Sequence, residues 1–257
     1  MLLAIDIGNT HLVLGIFDRD RLAHSWRVVT RTDQTYDECA VMCRNLFELK
    51  GIFAQDVDGM ILCSVVPPLN EAFALLGKKY FSVDPLFVES TQQSLMPIPG
   101  YKPPSDVGAD RIVNAVAAFD KVGGPAIVVD FGTATTFDAI SEKGEYLGGV
   151  IAPGLGISAE ALVSRASKLP PIEIKKPPHV IGDSTVTSMQ SGLYFGYVGL
   201  VEGILRKMKE ELGEAQVVAT GGLASLVAAD SQEINRVEEN LILYGLKLFY
   251  QDLRKED

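Results

Sequence analysis

A short motif occurs twice in this chain, and it constrains the fold more than any other feature of the sequence. The first copy, Asp6-Ile7-Gly8-Asn9-Thr10, follows the apolar run 2–5, and the second, Asp130-Phe131-Gly132-Thr133-Ala134-Thr135, follows the apolar run 126–129. Each run is typical of a buried strand, and each motif leads into another apolar stretch. These segments, which we name the first and second turn motifs, predict two similar strand–turn–strand units.

Both turn motifs carry groups suited to phosphate chemistry. The aspartate carboxylate can hold a hydrated cation, the glycine lets backbone N–H groups approach an anion, and threonine adds a hydroxyl donor. Two copies, one opening each half of the chain, suggest two lobes that face one nucleotide. The alternative for each copy is an ordinary hairpin turn capped by its aspartate.

Composition restricts the class of protein. The chain has 257 residues, of which 47% are hydrophobic, so it can bury a sizeable core as one large domain or two smaller ones. Its formal net charge of −10 argues against a nucleic-acid partner, because no basic cluster offsets repulsion from phosphates. No signal-peptide pattern and no apolar run near the roughly 20 residues of a membrane helix is present. We therefore expect a cytoplasmic protein without a membrane partner.

The cysteines and histidines offer little for a metal site. Cys39 and Cys43 are four residues apart on a predicted helix, Cys63 ends a predicted strand, and no histidine stands at a ligand spacing. We expect reduced, mostly buried thiols rather than a metal–thiolate centre.

The pattern of the first half predicts a mixed sheet flanked by helices. Gly8-Asn9 between two apolar runs indicates a hairpin, and Thr35 with Glu38 three residues later is a capping-box pattern that opens a helix. The predicted strands are 2–7, 11–18, 22–29 and 58–66, and the predicted helices are 35–49 and 69–80.

The second half repeats this scheme. A helix with an apolar face is predicted at 110–121, and the Pro-rich stretch 169–179 is predicted to be a loop. We place the lobe boundary after residue 115, which gives an N-terminal lobe of 1–115 and a C-terminal lobe of 116–257. The predicted strands are 126–130, 135–140, 144–152 and 217–220, and the predicted helices are 156–167, 188–211 and 235–252.

The order of the motifs resembles a known superfamily. The turn motifs are similar to those of actin, sugar kinases, acetate kinase and the heat-shock chaperone ATPases. That resemblance implies an α/β fold of two ribonuclease-H-like lobes, each a mixed five-stranded sheet flanked by helices, that close on ATP. Within the superfamily, nearly the whole chain resembles the type III pantothenate kinases. Besides the turn motifs, this rests on segment 99–111, which ends in Gly108-Ala109-Asp110-Arg111, on Thr185 with 188–192, and on 218–222.

The resemblance implies a kinase that transfers a phosphoryl group from ATP to the primary hydroxyl of pantothenate, the first committed step toward coenzyme A. Asp110 is the implied general base, since an attacking alcohol loses its proton as the bond to phosphorus forms. Asp6 is implied to organise Mg²⁺ through water, and Asp130 to bind K⁺ or NH₄⁺. The implied ATP contacts are Asp6, Ile7, Gly8, Asn9, Thr10, His11, Leu12, Val13, Thr133, Gly221 and Gly222, and the implied pantothenate contacts are Tyr101, Gly108, Ala109, Asp110, Arg111 and Thr185.

Charge supports a role for cations from solution. Neither turn motif contains a lysine or an arginine, so positive charge beside the phosphates has to come from dissolved ions. The implied requirement for a monovalent cation is therefore physically reasonable.

Several implied site residues have simpler explanations. Asp106 and Asp110 would also be favoured as carboxylates at a helix N-terminus. Tyr101 would equally serve as a packing residue, and Gly221-Gly222 as a plain strand-to-helix turn.

Other functions remain open. A sugar or acetate kinase of the same superfamily would share both turn motifs but lack the 108–111 motif. A regulator without catalysis would have lost a catalytic carboxylate, whereas Asp6, Asp110 and Asp130 are all present.

The expected partner is a second copy of the chain. The resemblance implies a homodimer with the acceptor site at the subunit interface. The helices after Asp110 and from Ser188 are candidate dimer surfaces and equally candidate contacts between lobes.

Ser184 stands before Thr185 where Asn or Asp is common in relatives, which makes the local turn less secure.

Overall fold

The chain divides into two compact units. The computed structural model describes residues 1–89, 91 and 94–255. One unit contains Met1–Pro97, Tyr101–Ala117 and Asn240–Asp257, and the other contains Ile98–Gly100 and Ala118–Glu239. The C-terminal segment therefore groups with the first unit. The lobe boundary after residue 115 stays a prediction.

The first unit is built on a five-stranded sheet of order β3-β2-β1-β4-β5. The first three strands form an antiparallel meander, and β4 and β5 run parallel to β1. The first turn motif joins β1 to β2. The strands are β1 (Leu2–Ile7), β2 (His11–Asp18), β3 (Arg21–Val29), β4 (Gly59–Ser64) and β5 (Leu86–Phe87).

The second unit repeats this arrangement, with strand order β10-β9-β6-β7-β8. An antiparallel meander again carries a turn motif at its first bend, and two further strands run parallel to its first strand. The predicted pair of mixed five-stranded sheets is confirmed. The strands are β6 (Ala126–Phe131), β7 (Ala134–Ile140), β8 (Tyr146–Pro153), β9 (Gln216–Gly221) and β10 (Arg236–Val237).

Helices cover both sheets. In the first unit, α1 (Tyr36–Glu48) and α2 (Pro67–Leu76) bury their apolar residues in one core with β1, β2 and β4. A π-helical turn, Gly77–Phe81, follows α2. The Thr35–Glu38 capping box is present, as predicted. α3 (Ala109–Val122) starts in the first unit and ends in the second.

In the second unit, α4 (Leu155–Arg165), α5 (Thr185–Leu212) and α6 (Ala224–Ala228) pack on the sheet. Phe131 and Phe137 of the sheet share a core with Tyr194, Tyr197 and other residues of α5. The segment 169–179 has no helix or strand, as its prolines predict.

The C-terminal prediction of one helix over 235–252 is wrong. The chain first forms β10 and then α7 (Leu241–Leu253), because residues 236–237 pair with β9. α7 packs against β1, β2 and β4 of the first unit. At Gly15 and Gly59 the strands have no side chain, and the Leu243 and Tyr250 side chains of α7 occupy that space.

Candidate active site

The first turn motif is held in place by its own backbone and by Thr30. The Gly8 N–H donates to the His11 carbonyl at 3.1 Å, and the Thr30 hydroxyl donates to the Gly8 carbonyl at 2.6 Å. The Thr30 N–H donates to the Thr10 carbonyl at 3.0 Å. Asn9 and Thr10 are exposed. The turn is therefore fixed from one side and accessible from the other.

The implied ATP contacts in 6–13 differ in what they can offer. Ile7 and Leu12 are fully buried in the core, so only their backbone groups are available to a ligand. Asp6 and Val13 are half-buried. His11 is half-buried too, and burial, with the nearby charge of Arg27, lowers its pKa. The His11 imidazole is therefore neutral near pH 7.

Asp110 lies in the first turn of α3, where the helix dipole favours a carboxylate. Its Oδ1 accepts a hydrogen bond from the Arg111 N–H at 2.8 Å. Burial raises the pKa of Asp110, although this hydrogen bond and the Arg111 charge oppose the shift. A carboxylate with a raised pKa is a stronger base than an ordinary aspartate.

Gly108 makes room for that carboxylate. A Cβ at residue 108 would lie 2.3 Å from Asp110 Oδ1, far inside van der Waals contact. A larger residue at 108 would therefore displace the Asp110 carboxylate from its present position.

The structure brings Asp6 and Asp110 to the same buried thiol. Cys63 of β4 is the register partner of Asp6 and is fully buried. Burial raises the pKa of Cys63 well above its usual value, and the charges of Asp6 and Asp110 add to that effect. A neutral thiol therefore lies close to both carboxylates, within one unit.

A cleft of about 740 Å³ opens beside the 108–111 motif. Within the described residues, Asn70 Oδ1 is buried without a hydrogen-bond partner on its wall. The cleft lies entirely within the first unit, as does the half-buried Tyr101. Its lining includes Ser64, Val65, Asn70, Glu71, Val88, Ser105, Gly108 and Ala109.

In the second unit, Asp130 ends β6 beside Gly221 of β9. Asp130 pairs with Thr220 in the parallel register. Gly221 has φ +93°, and a Cβ there would lie 2.6 Å from Asp130 Oδ1. Both the backbone conformation and the approach of the carboxylate require glycine here. The next residue, Gly222, is exposed.

Thr133 is exposed in the second turn motif. Its carbonyl faces Gly154, where a Cβ would lie 2.1 Å from it.

Thr185 is exposed as the first residue of α5. Ser184 caps that helix, since its hydroxyl accepts from the Thr187 N–H at 3.2 Å. Serine therefore meets the structural need at residue 184.

Three general findings concern the described part of the chain. It contains no group of three or more His, Cys, Asp and Glu side chains arranged to hold a metal ion. Cys39, Cys43 and Cys63 are free and buried, as predicted. None of its helices combines the length and apolar character needed to cross a membrane.

Sequence comparison assigns the family. Residues 2–207 match the family described as type III pantothenate kinase. The chain belongs to the type III pantothenate kinase family. It is therefore an enzyme of the kinase class, and this membership agrees with the expectation from its motifs.

Type III pantothenate kinases are also found among its full-length relatives. That of Myxococcus xanthus is 54% identical over 97% of this chain and 98% of the relative. That of Koribacter versatilis is 51% identical over 98% of this chain and 95% of the relative.

Solved structures show the same fold at low sequence identity. A Campylobacter jejuni protein described as a Baf family transcriptional activator has a TM-score of 0.60 and 18% identity, over 98% of this chain and 99% of that one. A Sinorhizobium meliloti protein described as a 2-dehydro-3-deoxygalactonokinase has a TM-score of 0.58 and 13% identity, over 98% and 97% of the two chains. These likenesses confirm the duplicated fold of the superfamily.

Sequence reasoning missed some residues that shape the site. Thr30 carries no local signal, because it reaches the first turn motif only through pairing of β2 with β3. Cys63 was assigned to the core without its two carboxylate neighbours, which follow from the register of β1 and β4 and from the start of α3.

Proposed function

We propose that this enzyme phosphorylates the primary hydroxyl of pantothenate with ATP, the first step toward coenzyme A. The observation that carries the proposal is the placement of Asp110, with a raised pKa, in the same neighbourhood as Asp6 of the first turn motif. Names of full-length relatives support the acceptor. The reaction uses ATP, so we place it in the cytoplasm.

Asp110 is the proposed general base. Its carboxylate takes the proton of the acceptor hydroxyl as that oxygen attacks the γ-phosphorus, and the leaving group is ADP. The acceptor lies in the cleft at Gly108 and Ala109. Arg111 pairs with the pantothenate carboxylate or the phosphoryl group, because its guanidinium offers a fixed fork of donors. Tyr101 and Thr185 are the other proposed acceptor contacts.

The first turn motif is proposed to hold the ATP phosphates through backbone amides of residues 6–13. Asp6 fits Mg²⁺ held through water, because Mg²⁺ takes few protein carboxylates and keeps water and phosphate ligands. When bound, Mg²⁺ would neutralise charge that develops on the phosphates.

The second turn motif is proposed to supply Thr133 to ATP and Asp130 to K⁺ or NH₄⁺. The fit rests on the Asp130 carboxylate beside a turn without lysine or arginine. Gly221 and Gly222 are proposed to lie against the nucleoside. A monovalent ion would offset charge there at low desolvation cost.

A homodimer is proposed, with α5 in its interface. Gly192, Gly196, Gly199 and Gly203 are exposed, with no atom near the position of a Cβ. Each glycine within a helix costs about 0.5–1 kcal/mol relative to alanine, so four on one face call for a closely packed partner. Exposed Leu162, beside Gly192 in one groove, extends this surface. Thr185 lines the same groove, which supports an acceptor site at the interface.

The deciding test is turnover of the purified protein with ATP, Mg²⁺ and pantothenate, in parallel reactions with K⁺, NH₄⁺ or Na⁺. We expect phosphopantothenate to form, fastest with K⁺ or NH₄⁺. A sugar and acetate serve as control acceptors. Absence of phosphopantothenate under every monovalent cation would refute the proposed reaction.

With the net charge of −10 we expect no retardation of a DNA fragment at physiological ionic strength.

A further inference from the structure

The phenol of Tyr197 joins three segments of the second unit. Tyr197 lies in the middle of α5 and is 5% exposed. Its hydroxyl donates to the Pro153 carbonyl at 3.4 Å, and it also hydrogen-bonds the Thr135 hydroxyl. A phenol has one proton. Because that proton goes to Pro153, the Thr135 hydroxyl donates to the phenol oxygen.

These three segments surround the second turn motif. Thr135 is two residues after Thr133, and Pro153 pairs with Ala134 across β7 and β8. Gly154, between Pro153 and Leu155, approaches the Thr133 carbonyl so closely that a Cβ would lie 2.1 Å from it. The turn backbone therefore packs against Gly154, the residue that follows Pro153, which Tyr197 binds.

Tyr197 also contacts the other end of the motif. Its ring packs against the Phe131 ring, with the centroids 6.3 Å apart and the planes at 54°. Phe131 and Thr135 are themselves register partners. The side chain thus supports both strands that lead into the turn.

The middle of the turn, Gly132 and Thr133, is exposed. Exposed loop residues sample more conformations than core residues. Their position depends on how firmly the buried ends are held.

We propose that Tyr197 is a positioning residue that fixes the second turn motif for nucleotide binding. Its hydroxyl holds Thr135 and Pro153 together, and this arrangement presents Thr133 to the nucleotide. The inference rests on the proposed function in taking ATP as the ligand of this turn.

The same helix provides a matched control. Tyr194 is 1% exposed, and its hydroxyl donates to Asp230 at 2.8 Å and lies 3.1 Å from the Leu226 carbonyl oxygen. Tyr194→Phe and Tyr197→Phe therefore remove the same atom from the same helix and core. Only Tyr197 reaches the turn.

The test compares binding of a non-hydrolysable ATP analogue by calorimetry in the two variants and the wild type, with thermal unfolding measured in parallel. We expect Tyr197→Phe to weaken analogue binding about tenfold, the effect of one hydrogen bond. KM for ATP should rise and KM for pantothenate should stay within twofold. Tyr194→Phe should lower the melting temperature about as much as Tyr197→Phe does, and it should leave the affinity for the analogue unchanged.

Substitutions at Thr135 give a second route that leaves the phenol in place. Thr135→Val should weaken analogue binding as Tyr197→Phe does. Thr135→Ser keeps the hydroxyl and should bind the analogue with wild-type affinity. Wild-type affinity in Tyr197→Phe or in Thr135→Val, or an equal loss in Tyr194→Phe, would overturn the inference.

The two proposals fail in different ways. If the wild type binds the analogue but does not phosphorylate pantothenate, the reaction is refuted and Tyr197 keeps its role. If pantothenate is phosphorylated and Tyr197→Phe binds the analogue normally, only the positioning role is refuted.

Discussion

At the scale of single residues, two carboxylates of the site each lie against a glycine. A Cβ at Gly108 or at Gly221 would lie within 2.6 Å of the Asp110 or the Asp130 carboxylate oxygen and would displace it. In both cases the position of a neighbouring carboxylate accounts for the absence of a side chain, whether or not a ligand also approaches the glycine.

The first prediction concerns Asp110 as general base. Asp110→Asn should reduce turnover by about 10²–10⁴-fold, the usual contribution of a general base, while the affinity for an ATP analogue stays near that of the wild type. Burial disfavours the ionised carboxylate, so the melting temperature should be unchanged or higher. Steady-state kinetics, calorimetry and thermal unfolding measure the three quantities. Full activity in the variant would exclude the role.

The second prediction concerns pH. A general base works when deprotonated, so kcat/KM should fall as pH drops through the pKa of Asp110. Burial raises that pKa, so the fall should lie above the range of an ordinary aspartate.

Arg111 supplies the control for this pH profile, because its charge lowers the pKa of Asp110. Arg111→Gln should move the acid limb to higher pH, whereas Arg111→Lys, which keeps the charge, should leave it in place. Identical limbs in Arg111→Gln and the wild type would assign the limb to another group.

At the scale of elements, the sequence predicted those with a long periodic pattern and missed the short ones. The meanders of β1–β3 and β6–β8 were found because each strand carries several alternating or continuous apolar residues. β5 and β10 are two residues long, too short for any periodicity, and their pairing with β4 and β9 is a tertiary contact. The helix predicted to begin at residue 69 begins two residues earlier, because Pro67 and Pro68 fit the first turn of α2.

The same limit applies to the candidate site. Asp6, Asp110 and Asp130 were identified because each stands in a motif. Thr30, Cys63 and Tyr197 contact the turn motifs or their carboxylates from elements far away in sequence, and only the sheet register and helix packing reveal them.

The third prediction tests the glycine face of α5. Gly199→Glu should yield monomers by light scattering, because a charged side chain would enter the proposed dimer interface, while the helix has open space to accept it. Glu211→Lys, at the exposed end of the same helix and off the glycine face, should remain dimeric. Dimers in both variants would place the interface elsewhere.

At the scale of the whole molecule, the two units share one strand order and differ in what completes them. The sheet of the second unit is covered by helices from its own half of the chain. The first recruits α7, from beyond the second unit in sequence.

The fourth prediction measures how much the first unit depends on α7. A Cβ at Gly245 would lie 2.3 Å from the Val113 carbonyl oxygen, so Gly245→Ala should destabilise the protein by about 1–3 kcal/mol through overpacking. Gly156→Ala, at a helical glycine with nothing near its Cβ position, should be neutral or slightly stabilising. Denaturant unfolding compares the two; equal stabilities would mean that α7 shifts without cost.

The return of α7 to the first unit has a consequence for synthesis on the ribosome. Domains generally fold in the order in which they are made. Here the first unit lacks its last helix until residues 241–253 have emerged, whereas every residue of the second unit has been made by residue 239. The unit that begins the chain is thus the last to acquire its full complement of residues, and its sheet stays uncovered along α7 while the second unit is already able to fold.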